Sequence, residues 1–231
     1  MFDANQYTDA AHCYALAASA SKEADAADLW ACALVRHAFI GMYERRFTAA
    51  APMLDLAAGL ARRGDSSLST RYWVAAVQAE TYAGLGEMDG CGRALDAAEK
   101  VQSLGGHVHN GGWLRFDGSR LAEQRGTCYA TLGRPDLAES ALAAALSGHL
   151  SPRRRAGVHI DLAAVWAQQR KADAVIEHGR SAVGIARETG SGVVARRLAG
   201  LRGVLMPLLR DPAVRVLDDE IASLNAAAGV S

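Results

Sequence analysis

Two stretches of the chain repeat one another without a gap. Tyr82–Ala98 and Tyr129–Ala145 are identical at nine of seventeen positions, in the frame Tyr-Ala-x-Leu-Gly-x-x-Asp followed by Ala-Leu-x-Ala-Ala. A repeat of this length that changes from an aromatic-leucine end to a small-residue run describes two helices joined by a tight turn. Gly86 and Gly133 stand where a helix C-terminus needs a positive φ. Pro135 suits the first turn of a following helix, where its missing N–H costs nothing. Small residues at Ala94, Ala98, Ala141 and Ala145 let the second helix approach the first closely. Such units bury their apolar faces only against neighbours, so the whole chain must be read as a stack of them.

The pattern of a small residue, a tyrosine three on, Leu-Gly and then Ala-x-x-x-Leu-x-x-Ala resembles the tetratricopeptide repeat. Its positions fall on Ala79, Tyr82, Leu85, Gly86, Cys91, Leu95 and Ala98, and again on Gly126, Tyr129, Leu132, Gly133, Ala138, Leu142 and Ala145. Weaker units fit Ala38, Ala50, Leu54 and Ala57, and Leu162, Val165, Val175, Gly179 and Ala182. Equivalent second-helix positions Ala50, Cys91, Ala138 and Val175 are 41, 47 and 37 apart. The strings SLSTRYWVAAVQAETYAGLG, WLRFDGSRLAEQRGTCYATLGRPDLAESAL and SPRRRAGVHIDLA further resemble the C-terminal repeat region of actinobacterial helix-turn-helix (XRE-type) transcriptional regulators. That resemblance implies a sensor or regulatory role and a DNA-binding domain ahead of the array in the parent architecture. Direct nucleic-acid binding is not expected of this chain.

The expected fold is all-α: a right-handed α-solenoid of degenerate helical hairpins, one domain over residues 1–231. About eleven helices are expected, near 5–21, 26–43, 47–63, 67–85, 88–103, 114–132, 135–147, 153–169, 172–189, 191–209 and 212–226. Ser151-Pro152 and Asp211-Pro212 read as an N-cap followed by proline at N1. Val214, Leu217, Ile221 and Leu224 form one apolar stripe, so residues 210–231 are read as a capping helix or a dimer seam.

Composition narrows the function classes. The chain has 25 basic and 25 acidic side chains, which argues against bulk attraction to nucleic acid. The charge is uneven: residues 1–30 carry net −4 and residues 151–202 net +6. No run is long and apolar enough for a membrane span. The first residues show no basic stretch followed by an apolar run. Four scattered cysteines, Cys13, Cys32, Cys91 and Cys128, read as buried thiols, and a cytoplasmic location is expected.

Ligands are expected on the first helix of each hairpin, in the groove of such an array. The candidate ligand-binding residues are Arg36, Phe39, Trp73, Val77, Glu80, Trp113, Arg120, Glu123, Thr127 and His159. Trp73 with Glu80 offers an apolar anchor beside an acceptor, and Arg120 with Glu123 a charged i, i+3 pair. Ile160 is placed in the same groove. The segment GGHVHNGGW reads as a surface loop, with Trp113 at its base. It lacks a third metal ligand beside His107 and His109, and it is no phosphate loop. No catalytic constellation is present, so neither catalysis nor a cofactor is expected; a fixed pocket water with a perturbed carboxylate at Glu80 or Glu123 would argue otherwise. The expected partner is a protein or peptide, with a small-molecule ligand or a homodimer as alternatives.

Overall fold

The computed structural model describes residues 7–104, 108–110 and 116–227. Among them the chain forms eleven α-helices: α1 (Tyr7–Glu23), α2 (Ala27–Tyr43), α3 (Phe47–Arg63), α4 (Thr70–Leu85), α5 (Met88–Glu99), α6 (Leu121–Thr131), α7 (Pro135–Leu146), α8 (Pro152–Gln168), α9 (Ala172–Thr189), α10 (Gly192–Leu205) and α11 (Pro212–Ala227). Short 3₁₀ turns at Lys100–Ser103 and Met206–Leu208 follow α5 and α10. No described residue is in a strand.

One turn recurs five times. After α1, α2, α4, α6 and α8 a single residue enters the left-handed region: Asp25, Arg45, Gly86, Gly133 and Arg170, with φ between 50° and 80°. Its own N–H donates three residues back, as Gly86 N to Ala83 O at 3.1 Å. The next N–H donates five residues back, as Glu87 N to Tyr82 O at 2.8 Å. The same pair of bonds closes the turns at Ala26–Ser21, Arg46–Gly41, Arg134–Tyr129 and Lys171–Trp166. This is the Schellman arrangement, which satisfies the last carbonyls of one helix and starts the next two residues later. The expected turns at Gly86 and Gly133 are therefore present, together with three that carry no glycine.

Three helix bounds differ from expectation for local reasons. The helix expected at 114–132 begins at Leu121, because Gly118 sits at φ 74° and Ser119 N donates to Asp117 Oδ1 at 3.0 Å. The helix expected from residue 67 begins at Thr70, because Ser67 N and Oγ both donate to Asp65 Oδ1. The helix expected to run to residue 209 ends as α at Leu205, ahead of Pro207.

The chain divides into two compact units, residues 1–124 and 125–231. In the first, α4 is the central element. Val74 and Val77 join Val35, Leu54 and Leu60 of α2 and α3, while Tyr72, Ala75 and Ala76 join Ala98, Val101 and Leu121. Phe116 packs against both clusters. In the second, α8 packs with α9 and α10, and α11 closes the assembly. Val214, Leu217 and Ile221 are wholly buried beside Val175, Ala182 and Leu198. Each such leucine contributes about 2 kcal/mol by leaving water. The C-terminal stripe is thus buried inside its own unit. Close approach is built in: a Cβ on Gly179 would run into the Leu217 side chain, and one on Gly126 into Leu142. Three of the four cysteines are buried as expected, but Cys13 is exposed.

The turn geometry makes a paired prediction. A Cβ on Gly86 meets nothing, so Gly86→Ala imposes backbone strain alone and costs about 1 kcal/mol. Arg45→Gly relieves the same strain and raises stability by roughly 0.5–1 kcal/mol. Urea midpoints of the two variants should move in opposite directions.

Candidate functional site

In the first unit, Arg36, Phe39 and Trp73 come together across α2 and α4. The Phe39 and Trp73 ring centroids lie 6.3 Å apart, and the Arg36 guanidinium sits 5.7 Å over the Trp73 ring. This cluster is not a groove floor. Trp73 is only 7% exposed and Val77 only 2%. Because α4 is covered on two sides, its aromatic is consumed by the core; Arg36 stays exposed above it.

Glu80, also on α4, is partly buried. Its Oε1 accepts from Gln124 Nε2 at 2.6 Å, and the same amide group donates to Ala76 O at 2.7 Å. Burial pushes the Glu80 carboxyl up to about 7, against the opposing pull of the Gln124 hydrogen bond. The shift is the kind a catalytic acid needs. The Gln124 amide that Glu80 accepts from also holds Ala76 O, so the pair ties Gln124 at the start of α6 onto α4.

The loop between α5 and α6 is pinned where it is described. Ser69 N donates to His109 O at 2.8 Å, Asn110 is buried against the Ser69 hydroxyl, and Val108 packs on the Tyr72 cluster. Trp113 and His107 lie outside the described residues. Arg120 is exposed and precedes α6, its carbonyl accepting from Gln124 N, while Glu123 is partly buried in the first turn.

In the second unit the exposed Thr127 of α6 donates to Asp161 Oδ2 of α8 at 3.2 Å, and Arg197 Nη2 of α10 donates to Asp161 Oδ1 at 2.6 Å. Gly157 keeps clear the space that the Arg197 guanidinium occupies. Three helices are thereby linked by one carboxylate. His159 forms a second arrangement: its Nδ1 lies 3.1 Å from His178 Nδ1 of α9. One hydrogen fits between the two nitrogens, so one ring donates and the other accepts. Burial pushes both imidazoles below the ordinary histidine value. His178 and Arg155 lower His159 further, and Glu177 opposes the shift on both rings, joined by Glu139 at His178. Among the described residues, no group of three or more His, Cys, Asp or Glu is placed to hold a metal ion.

Sequence reasoning missed Gln124, Asp161, Arg197 and His178. A signal existed for two of them. Thr127 to Asp161 is 34 residues and Asp161 to Arg197 is 36, a repeat spacing read on first helices. The groove reading chose Ile160 in place of Asp161, and Ile160 is 5% exposed, in the core.

No protein-family model matches the chain, and no curated protein matches it by sequence. Among solved structures the chain is similar to the crystal structure of BtubC (BKLC) from P. vanneervenii. The TM-score is 0.66 at 15% identity, covering 97% of this chain and 92% of that one. That likeness is one of fold. No helix among the described residues is long and apolar enough to cross a membrane.

Two pH predictions follow from the two titrating sites. Glu80 holds a proton more tightly folded than unfolded, so stability falls as pH rises from about 4.5 to about 7. Glu80→Gln keeps the bond to Gln124 and removes that loss. It should be more stable than the parent at about pH 8, by on the order of 2 kcal/mol, with the gap narrowing towards about pH 5. The histidines carry the opposite sign. Both bind protons less tightly folded than unfolded, so their stabilisation is present above the ordinary histidine value and is lost as pH falls below it. His178→Gln should therefore destabilise at about pH 8 and progressively less at lower pH, as read by urea midpoints across the range.

Proposed function

We propose that this chain is a non-catalytic regulatory repeat domain of the tetratricopeptide class. In this reading its hairpins continue into a right-handed α-solenoid, and its first helices dock a protein or peptide partner. The observation that carries it is the line Thr127–Asp161–Arg197, which sets polar side chains on consecutive first helices α6, α8 and α10 at intervals of 34 and 36 residues. Side chains fixed by one another across neighbouring repeats lose little freedom when a partner arrives, which favours binding. A small-molecule pocket around Trp73 has less support, since that ring is in the core. The dimer-seam version of the scaffold reading also loses its surface, because the α11 stripe is occupied. A cytoplasmic place and a link to transcriptional control belong to the same proposal and rest on the sequence resemblance.

The test compares tagged parent chain with an Asp161→Ala/Arg197→Ala variant of unchanged helicity, each used to capture proteins from the source cells. The reading expects at least one captured protein to fall about tenfold with the variant. An identical set at identical yield would overturn it. Native mass spectrometry of the same preparations checks for a co-purified small molecule.

A further inference from the structure

The second unit pairs a number of its charges, and among the cations without an ion-pair partner three gather in one place. Asp161 binds Arg197, Asp218 holds Arg202 through both carboxylate oxygens at 2.7 and 2.9 Å, and Glu220 lies 3.8 Å from Arg180 and 3.7 Å from Arg187. Asp211 Oδ1 is taken up by the α11 N-terminus, accepting from Ala213 N at 2.8 Å. Lys171 stacks over the Trp166 ring at 4.3 Å. Arg170, Arg210 and Arg215 have no such partner: all three are exposed, and no carboxylate lies within ion-pair distance among the described residues.

These three arginines line one cleft with Met206, Pro207 and Leu209, about 650 Å³ in volume. The α8–α9 turn supplies Arg170, and the segment from the end of α10 into α11 supplies the rest. Arg170 occupies the left-handed position of its turn, where glycine would be less strained. Met206 is 65% exposed, so its side chain is accessible beside the three cations. The cleft thus combines a guanidinium wall with an apolar, adaptable floor. Guanidinium matches the planar geometry of a carboxylate and binds it through two hydrogen bonds. No aromatic ring lines the cleft, so a nucleotide base would find nothing to stack on.

We propose that this cleft binds an acidic peptide segment of a partner protein, with carboxylates on Arg170, Arg210 and Arg215 and an intervening aliphatic side chain on Met206, Pro207 and Leu209. It is separate from the Thr127–Asp161–Arg197 line and stands or falls on different residues.

The test is fluorescence anisotropy of the full chain with a short fluorescein-labelled peptide of glutamates flanking one leucine. Binding is expected, and it weakens with added salt. Arg170→Ala, Arg210→Ala and Arg215→Ala should each weaken it about tenfold, and Met206→Asp should do the same. Arg153→Ala, an exposed arginine at the other end of α8, should leave it unchanged. The glutamine version of the peptide should not bind, and replacing its leucine by glycine should weaken it. All these side chains are exposed, and urea midpoints confirm that each variant folds. No binding at about 1 mM peptide, or binding indifferent to the three arginines, overturns the proposal. Equal binding of the glycine peptide, or displacement by tripolyphosphate at the peptide's own concentration, shows a site that reads charge alone and also overturns it. Self-association of the chain that the peptide does not reverse places a second copy on the cleft, with the same consequence.

Discussion

The left-handed residue at the end of a helix is the constraint on which the other features depend. It turns the chain back within three residues and leaves the next helix antiparallel to the last. Two backbone hydrogen bonds fix the geometry, so it varies little whether the residue is Gly86, Gly133 or the more costly Asp25, Arg45 and Arg170. Once direction is fixed, helix separation is set by what lies between. Here alanine and glycine lie between, and Leu142 and Leu217 fill the spaces that glycines leave in the facing helix. A chain with few aromatics can be well packed in this way, because close backbones take the place of large side chains.

Much of the helix order was legible because turn and period spoke together. Gly86 and Gly133 announce their turns, and the paired motif around them assigns both flanking helices. The breaks at Asp25, Arg45 and Arg170 were legible only from the loss of apolar period, since nothing in an aspartate or arginine marks a left-handed residue. The start of α6 was misplaced because an Asx turn at Asp117 and a positive φ at Gly118 interrupt what reads as continuous helix.

The candidate site was less legible, and for a different reason. Trp73 has the right register for a first-helix face, but register does not say whether that face is covered. Trp73 is covered by Val35, Leu54 and Leu60 of α2 and α3 with Phe116 packed against them, while Val101 and Leu121, far away in sequence, join Tyr72 on the other side of α4. Thr127 and His159 were found, whereas their partners required reading three helices at once. Asp161 is one residue from the position chosen. On a helix one residue is a rotation of about 100°, enough to exchange the core for the polar face.

Glu80 and the His159–His178 pair respond to acid with opposite signs. Glu80 is held by one amide, and burial favours its neutral form, so protonation of this carboxyl favours the folded state. In the histidine pair, two imidazoles share one hydrogen at 3.1 Å, and a second added proton would place N–H against N–H. The first added proton can reside in the pair without breaking the bond, because a cationic ring donates as well as a neutral one. The second cannot, and Arg155 stands near enough to raise its cost further. Acidification towards neutrality therefore favours the folded state at Glu80, while the bond between α8 and α9 is withdrawn only below the ordinary histidine range, when the second proton is taken up.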